Sequence, residues 1–214
     1  MKPKLFAFSL GSVFACALGF AAFVQTALAS EVALARSDPP GTQVAVFAGG
    51  CFWCVESDFE KLEGVLSATS GYTGGPELSP SYEQVSRHDT GHTEAVRIVF
   101  DPKKVSFEKL VDYFFHHIDP TQTNGQFCDH GPQYRSGIFV IDDGQKIIAD
   151  KVKRSIAQTL KTAVVTEVTK AGAFWIAEAG HQDFYKKSAD HYQSYREGCG
   201  RDKRVKELFG SSGH

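Results

Sequence analysis

Gln43-Val44-Ala45-Val46-Phe47-Ala48-Gly49-Gly50-Cys51-Phe52-Trp53-Cys54-Val55-Glu56-Ser57-Asp58-Phe59-Glu60-Lys61-Leu62 holds a strand, a break and a helix in one short run. Gln43 to Phe47 alternates and carries enough β-branched side chains for a buried strand. Ala48-Gly49-Gly50 ends it, and Phe52, Val55, Phe59 and Leu62 then recur at the spacing of one helix face. This puts Cys51 at a helix N-terminus, where unpaired backbone N–H groups and the positive end of the helix dipole stabilise a thiolate. A thiol so placed is expected to fall from about 8.5 toward neutrality. Gly49 and Gly50 permit a sharp turn and close approach of a substrate backbone, while Phe52 and Trp53 set large apolar faces beside the sulfur.

Working outward, Val65 to Tyr72 and Glu94 to Phe100 read as strands, and Ser106 to His117 as a helix burying Phe107, Leu110, Val111, Phe114 and Phe115. Ile138 to Ile141 is a further strand, Gln145 to Leu160 a helix, and Val164 to Val168 a short candidate strand. The order β-α-β-β-α-β-α fits an α+β two-layer sandwich with a mixed, largely antiparallel sheet of the split βαβ, ferredoxin-like kind. Thr73 to Thr93 and Asp119 to Arg135 show neither period, and loops this long inside a compact domain usually carry function. The C-terminal part is charged and aromatic, and reads as a coil-rich tail ending on Gly198-Cys199-Gly200.

The N-terminus has Lys2 and Lys4, an uncharged and largely apolar run from Leu5 to Val24, and Ala27-Leu28-Ala29 before Ser30, the layout of an export signal. Residues 1–29 are expected to be a signal peptide; the alternative is an uncleaved N-terminal anchor, because the apolar run is long enough to span a bilayer. Residues 30–41 form a flexible lead-in and residues 42–214 one domain. The expected location is periplasmic or secreted, or inner-membrane-anchored if the leader stays. Removing the leader takes two of 23 basic residues and no acid, leaving 21 against 25 acids and a formal charge of −4. That balance argues against nucleic acid. The sole methionine is Met1, which suits a protein working among oxidants.

Four cysteines remain: Cys51, Cys54, Cys128 and Cys199. A chain of this size does not need disulfide staples, so a redox role competes with a structural one. The C-x-x-C spacing of Cys51 and Cys54 allows a thioredoxin-like dithiol, half of a zinc site, or two unrelated thiols. Zinc needs two further ligands, and the sequence has no second C-x-x-C or paired histidine module, so no metal is expected. His88, His92, His116, His117 and His191 read as surface or structural.

Gly50-Cys51-Phe52-Trp53, Gly71-Tyr72-Thr73-Gly74-Gly75, Pro80-Ser81-Tyr82-Glu83-Gln84-Val85, Thr90-Gly91-His92-Thr93-Glu94-Ala95-Val96, Asp119-Pro120-Thr121 and Gln133-Tyr134-Arg135-Ser136 occur in this order, and together they resemble the peptide methionine sulfoxide reductase A family. The resemblance runs from about Val44 to Gly210. It implies that residues 42–214 reduce methionine S-sulfoxide, protein-bound or free, as a monomer with no bound cofactor. Cys51 would attack the sulfoxide sulfur, with Phe52 and Trp53 cradling the ε-methyl group. Glu94 would be the acid, since the departing oxygen must receive a proton as the thiolate attacks. Tyr82 and Tyr134 would hydrogen-bond the same oxygen, in the manner of an oxyanion hole. Asp129 resembles the acid that orders the site, although Cys128-Asp129-His130 replaces the commoner Asn-Asp pattern. His181 resembles a residue of the pocket edge.

Attack leaves Cys51 as a sulfenic acid, and a second cysteine must then form a disulfide that an external thioredoxin-like dithiol reduces. Cys199, in its Gly-flanked tail, resembles the recycling cysteine of the family and is ranked first. Cys54 follows, one helical turn away and expected to unwind that turn on bonding. Cys128, beside Asp129, is third. The competing readings are a non-catalytic cysteine-based metal or disulfide module, and a general thiol-disulfide oxidoreductase.

Overall fold

In the computed structural model of this chain, residues 38–210 are described; the leader expected over residues 1–29 and the lead-in as far as residue 37 lie outside them. β1 (Gln43–Gly49) is buried from Ala45 onward and turns at Gly50, φ +83°, into α1 (Phe52–Phe59). β2 (Val65–Thr73), α2 (Tyr82–Ser86), β3 (Thr93–Phe100) and α3 (Phe107–Phe115) follow. After them come a hairpin of β4 (Gly125–Gln126) and β5 (Asp129–His130), β6 (Ser136–Val140), α4 (Asp143–Leu160), β7 (Glu167–Lys170) and β8 (Phe174–Ile176). Side chains fix the helix starts: Ser106 and Asp142 accept the N–H groups of Lys109 and Gln145, and Ser81 and Gln84 form a reciprocal capping box.

The sheet runs β7-β6-β1-β3-β2-β8, antiparallel throughout except for the β6–β7 pair. Its inner four strands, β6-β1-β3-β2, have the expected split βαβ arrangement; of the two added edges β8 is antiparallel, and β7, parallel to β6, makes the sheet mixed. Alternation along β1 sorts the faces. Ala45 and Phe47 enter the main core beneath the helices, whereas Val46 and Ala48 pack with Ala95 and Phe139 in a smaller cluster. The Phe47 ring stacks on Phe59 and Phe114, each with centroids 5.0 Å apart, and so locks β1 to α1 and α3. Burying such side chains is worth roughly 1.5–3 kcal/mol each. The turn that presents Cys51 therefore rests on this aromatic stack of the main core.

The C-terminal part departs from expectation. It is not coil: α5 (Phe184–Lys187), α6 (Ala189–Gly198) and α7 (Arg201–Phe209) occupy it. Their sequence carries little apolar periodicity because buried polar contacts hold them instead. Arg196 of α6 pairs with Asp58 of α1 at 2.8 Å, and Arg201 of α7, only 2 % exposed, donates to the carbonyls of Gly49 and His117. Cys199 is accordingly no part of a mobile tail: it caps α6, and Gly200, φ +65°, breaks the chain into α7.

Candidate active site

Cys51 is the N-cap of α1, with φ −52° and ψ 119°, so it lies just outside the helix. Gly50 could carry no side chain here: besides its positive φ, a Cβ would meet Cβ of Gln126 at 2.6 Å. Gln126 is fully buried and exchanges two hydrogen bonds with the backbone of Asp119, which ties the Asp129 hairpin to the turn. Phe52 follows with 1 % exposure, its N–H donating to the Glu94 carboxyl at 2.9 Å.

Glu94 itself is 2 % exposed, on β3. Burial pushes its carboxyl up to about 8; the Phe52 N–H opposes this, while Asp129 and Cys54 add to it. A proton therefore resides on Glu94 at neutral pH. Tyr82, at the start of α2, and Tyr134 are half-buried, and both hydroxyls are pushed up first by burial and next by the Glu94 charge, so both feel this carboxyl. The elements thus bring Cys51, Phe52, Trp53, Tyr82, Glu94, Asp129 and Tyr134 to one place from five separate stretches of sequence.

The thiols behave differently from expectation. Cys51 is not drawn toward neutrality: burial pushes its thiol well up, Cys54 and Glu94 add to that, and a hydrogen bond from Tyr195 opposes it. Desolvation is the largest of these because Cys51 is only 6 % exposed. Cys54, hydrogen-bonded to Cys51, is the thiol brought down; after that bond the helping charges are Arg201 and Arg196, set against its own burial. Cys51 and Cys54 are both free thiols here, with the first turn of α1 intact. Cys128 and Cys199 are joined to each other in a disulfide with Cα atoms 4.9 Å apart. Among the described residues, the groups close enough to share one cation are Cys128, Asp129 and Cys199, and Glu56, Glu60 and Asp183. Cys51 and Cys54 belong to neither set, so the four cysteines stand as two pairs and not as one zinc tetrad.

Several residues around the site escape sequence reasoning. Tyr195 of α6 donates to the Asp129 carboxylate and touches the Cys51 sulfur. Phe184 stacks on Trp53 at 3.8 Å, and Trp53 also donates its indole N–H to His181 at 3.2 Å, which fixes His181 at the pocket edge. Glu178 accepts from the Tyr72 hydroxyl and the Tyr82 N–H, both at 2.8 Å, and so seats α2. A signal for Tyr195 was present: Tyr192, Tyr195 and Cys199 share one helix face at i, i+3 and i+7.

A helix-capping thiol beside aromatic faces, a neutral buried carboxyl and two tyrosine hydroxyls, with a second thiol and a disulfide close by, define a thiol-dependent reductase of a small polar oxygen function. The comparisons make this specific. The family model described as peptide methionine sulfoxide reductase matches residues 43–212. Peptide methionine sulfoxide reductase MsrA 2 of Caulobacter vibrioides is 44% identical over 192 residues, covering 89% of this chain and 96% of that protein. MsrA of Bacillus subtilis is 45% identical over 171 residues, 79% of this chain and 97% of its own. Among solved structures, reduced Mxr1 of Saccharomyces cerevisiae matches with TM-score 0.68 and 30% identity, over 71% of this chain and 88% of that one. Methionine sulfoxide reductase A of Corynebacterium diphtheriae matches with TM-score 0.64 and 31% identity, over 71% and 77%. The chain belongs to the peptide methionine sulfoxide reductase family, and it is an oxidoreductase that reduces methionine sulfoxide.

Proposed function

We propose that the enzyme reduces the S epimer of methionine sulfoxide, in proteins and free, through Cys51. What supports the epimer is the family; what supports the residue roles is chiefly the neutral, buried Glu94 held against the backbone of the residue after Cys51. In this reading the Cys51 sulfur attacks the sulfoxide sulfur while Glu94 gives its proton to the oxygen and takes up the proton of the Cys51 thiol, and Tyr82 and Tyr134 share the developing charge. The oxygen passes to Cys51 as a sulfenic acid, and methionine leaves.

Cys54 resolves it. It is hydrogen-bonded to Cys51 and carries the lowered thiol, so its attack forms a Cys51–Cys54 disulfide and releases water. Exchange with the thiols of Cys199 and Cys128 then returns Cys51 and Cys54 to thiols and leaves the Cys128–Cys199 disulfide. Cys128 is exposed, which favours reduction there by an external thioredoxin-like dithiol. The yeast relative Mxr1 is known in complex with Trx2. The export signal of residues 1–29 makes that dithiol a periplasmic or membrane-delivered one, with inner-membrane anchoring as the alternative to cleavage.

The test is turnover of a peptide bearing either sulfoxide epimer by wild type and Cys51→Ser. Wild type should consume the S epimer alone, and the variant neither. Full activity in Cys51→Ser, or preference for the R epimer, would sink this reading.

A further inference from the structure

The C-terminal helices cover the ground a substrate has to occupy. The Trp53 indole, expected to cradle the ε-methyl group, has Phe184 stacked on it with centroids 3.8 Å apart and planes within 13°. That separation leaves no room between the rings for a methyl group. His181 stacks at 5.8 Å, and Tyr195 and His191 stand edge-on at 6.0 and 6.3 Å. The Tyr195 hydroxyl donates to the Asp129 carboxylate, and it is near enough to Cys51 to act on the thiol. A sulfoxide sulfur undergoing attack must stand against Cys51, where Tyr195 now is.

What holds Tyr195 there is also visible. It lies one turn before Cys199 on α6, and Cys199 is bonded to Cys128, the residue before Asp129. One covalent bond thus clamps the end of α6 to the hairpin that carries the acceptor of Tyr195. The last turn of α6 has a separate anchor in the Arg196–Asp58 pair, and Tyr192 is buried one turn earlier, both independent of any thiol chemistry. Cutting the disulfide frees the Cys199 end of the helix from the hairpin while that anchor keeps the helix on the protein.

We propose that the Cys128–Cys199 disulfide is a redox latch: while it is formed, α6 holds Tyr195 over Cys51 and excludes substrate, and its reduction opens the site. The proposal rests on Cys51 being the attacking sulfur. An external dithiol supplies the two electrons and two protons, becoming a disulfide as Cys128 and Cys199 become thiols. The latch gives the cycle an order. Cys51 cannot take a second oxygen until the pair that drains its disulfide has been recharged, so no sulfenic acid is left without a route to reduction.

The test uses the full chain in two forms: one carrying the Cys128–Cys199 bond with Cys51 and Cys54 free, as verified by mass mapping, and one fully reduced and freed of reductant. Each is mixed rapidly with excess methionine sulfoxide peptide, and the first equivalent of methionine is timed. A lid open about a tenth of the time slows that equivalent roughly tenfold, so the latched form should lag by on the order of tenfold or more. Alkylation of Cys51 by iodoacetamide should show the same lag in unmutated protein. With Tyr195→Ala the latched and reduced forms should react at the same rate as each other, whatever that rate is; a lag that survives the substitution overturns the latch. Equal rates in the two wild-type forms overturn the latch and leave Cys51 as the attacking sulfur; no methionine from the fully reduced form overturns the reading beneath it.

Discussion

Changing Glu94 to glutamine removes the ionisable carboxyl from a position 2 % exposed while keeping an acceptor for the Phe52 N–H. In the unfolded chain this carboxyl titrates near 4.3, and in the fold near 8. The fold therefore binds the proton more tightly than the unfolded chain does. The stability that goes with a protonated Glu94 is complete below pH 4.3, falls as the pH rises toward 8, and stays low above that. At about 1.4 kcal/mol per pH unit the whole effect is roughly 5 kcal/mol, an upper figure because water entry at alkaline pH relaxes it. Guanidinium unfolding at pH 4.5 should find Glu94→Gln and wild type nearly equal, and at pH 8.5 should find the variant more stable by several kcal/mol. Subtracting the two proteins removes the part due to other carboxyls such as Glu56, itself pushed up to about 7 by burial. Turnover should move the opposite way: an amide donates no proton, so the variant should lose on the order of a hundredfold at pH 6–7. That deficit should narrow above pH 8, where wild-type Glu94 is itself ionised. A variant no more stable than wild type at pH 8.5, or as active at pH 7, would refute a neutral Glu94 acting as the acid.

Gly50→Ala should destabilise by about 2 kcal/mol or more in denaturant unfolding and lose activity, since it combines a positive φ with a Cβ driven into Gln126. A neutral effect would mean that the turn before Cys51 is looser than described. Arg196→Leu should cost about 3 kcal/mol, because it strands Asp58, whose side chain is 4% exposed, beside α1. Guanidinium midpoints with unchanged slope measure this, and a cost under about 1 kcal/mol would show that Arg201 suffices for Asp58.

The inner sheet was legible in the sequence because its strands and the helices on them bury one apolar face each. Phe47 on β1 and Phe107, Leu110, Val111, Phe114 and Phe115 on α3 all announce themselves by period. Glu94, Tyr82 and Tyr134 were reached through the family resemblance of the motifs that hold them, since no period marks a site residue, and all three meet beside Cys51. The C-terminal helices were not legible. Tyr192, Arg196 and Arg201 reach buried partners that lie far off in sequence, and a helix held by Asp58 and by carbonyls has no apolar stripe to read. Phe184 was hidden in the same way, while Tyr195 showed only as a member of the Tyr192, Tyr195 and Cys199 face, with nothing to tell what it would close over. The same blindness bears on the thiol: the helix N-terminus is visible from Gly49-Gly50-Cys51, but the burial that pushes the thiol up is a tertiary property with no local signal. The pairing of Cys128 with Cys199 depends on the C-terminal helices too, so the order of the cysteines stayed open in the sequence.

The most direct measurement is the location of the first oxygen. Reduced Cys54→Ser, mixed with one equivalent of methionine S-sulfoxide in the presence of a sulfenic-acid trap and digested at once, should carry the trapped adduct on Cys51, with one methionine released per adduct. An adduct on Cys128 or Cys199 with Cys51 unmodified, or methionine released by Cys51→Ser under the same conditions, would contradict the account.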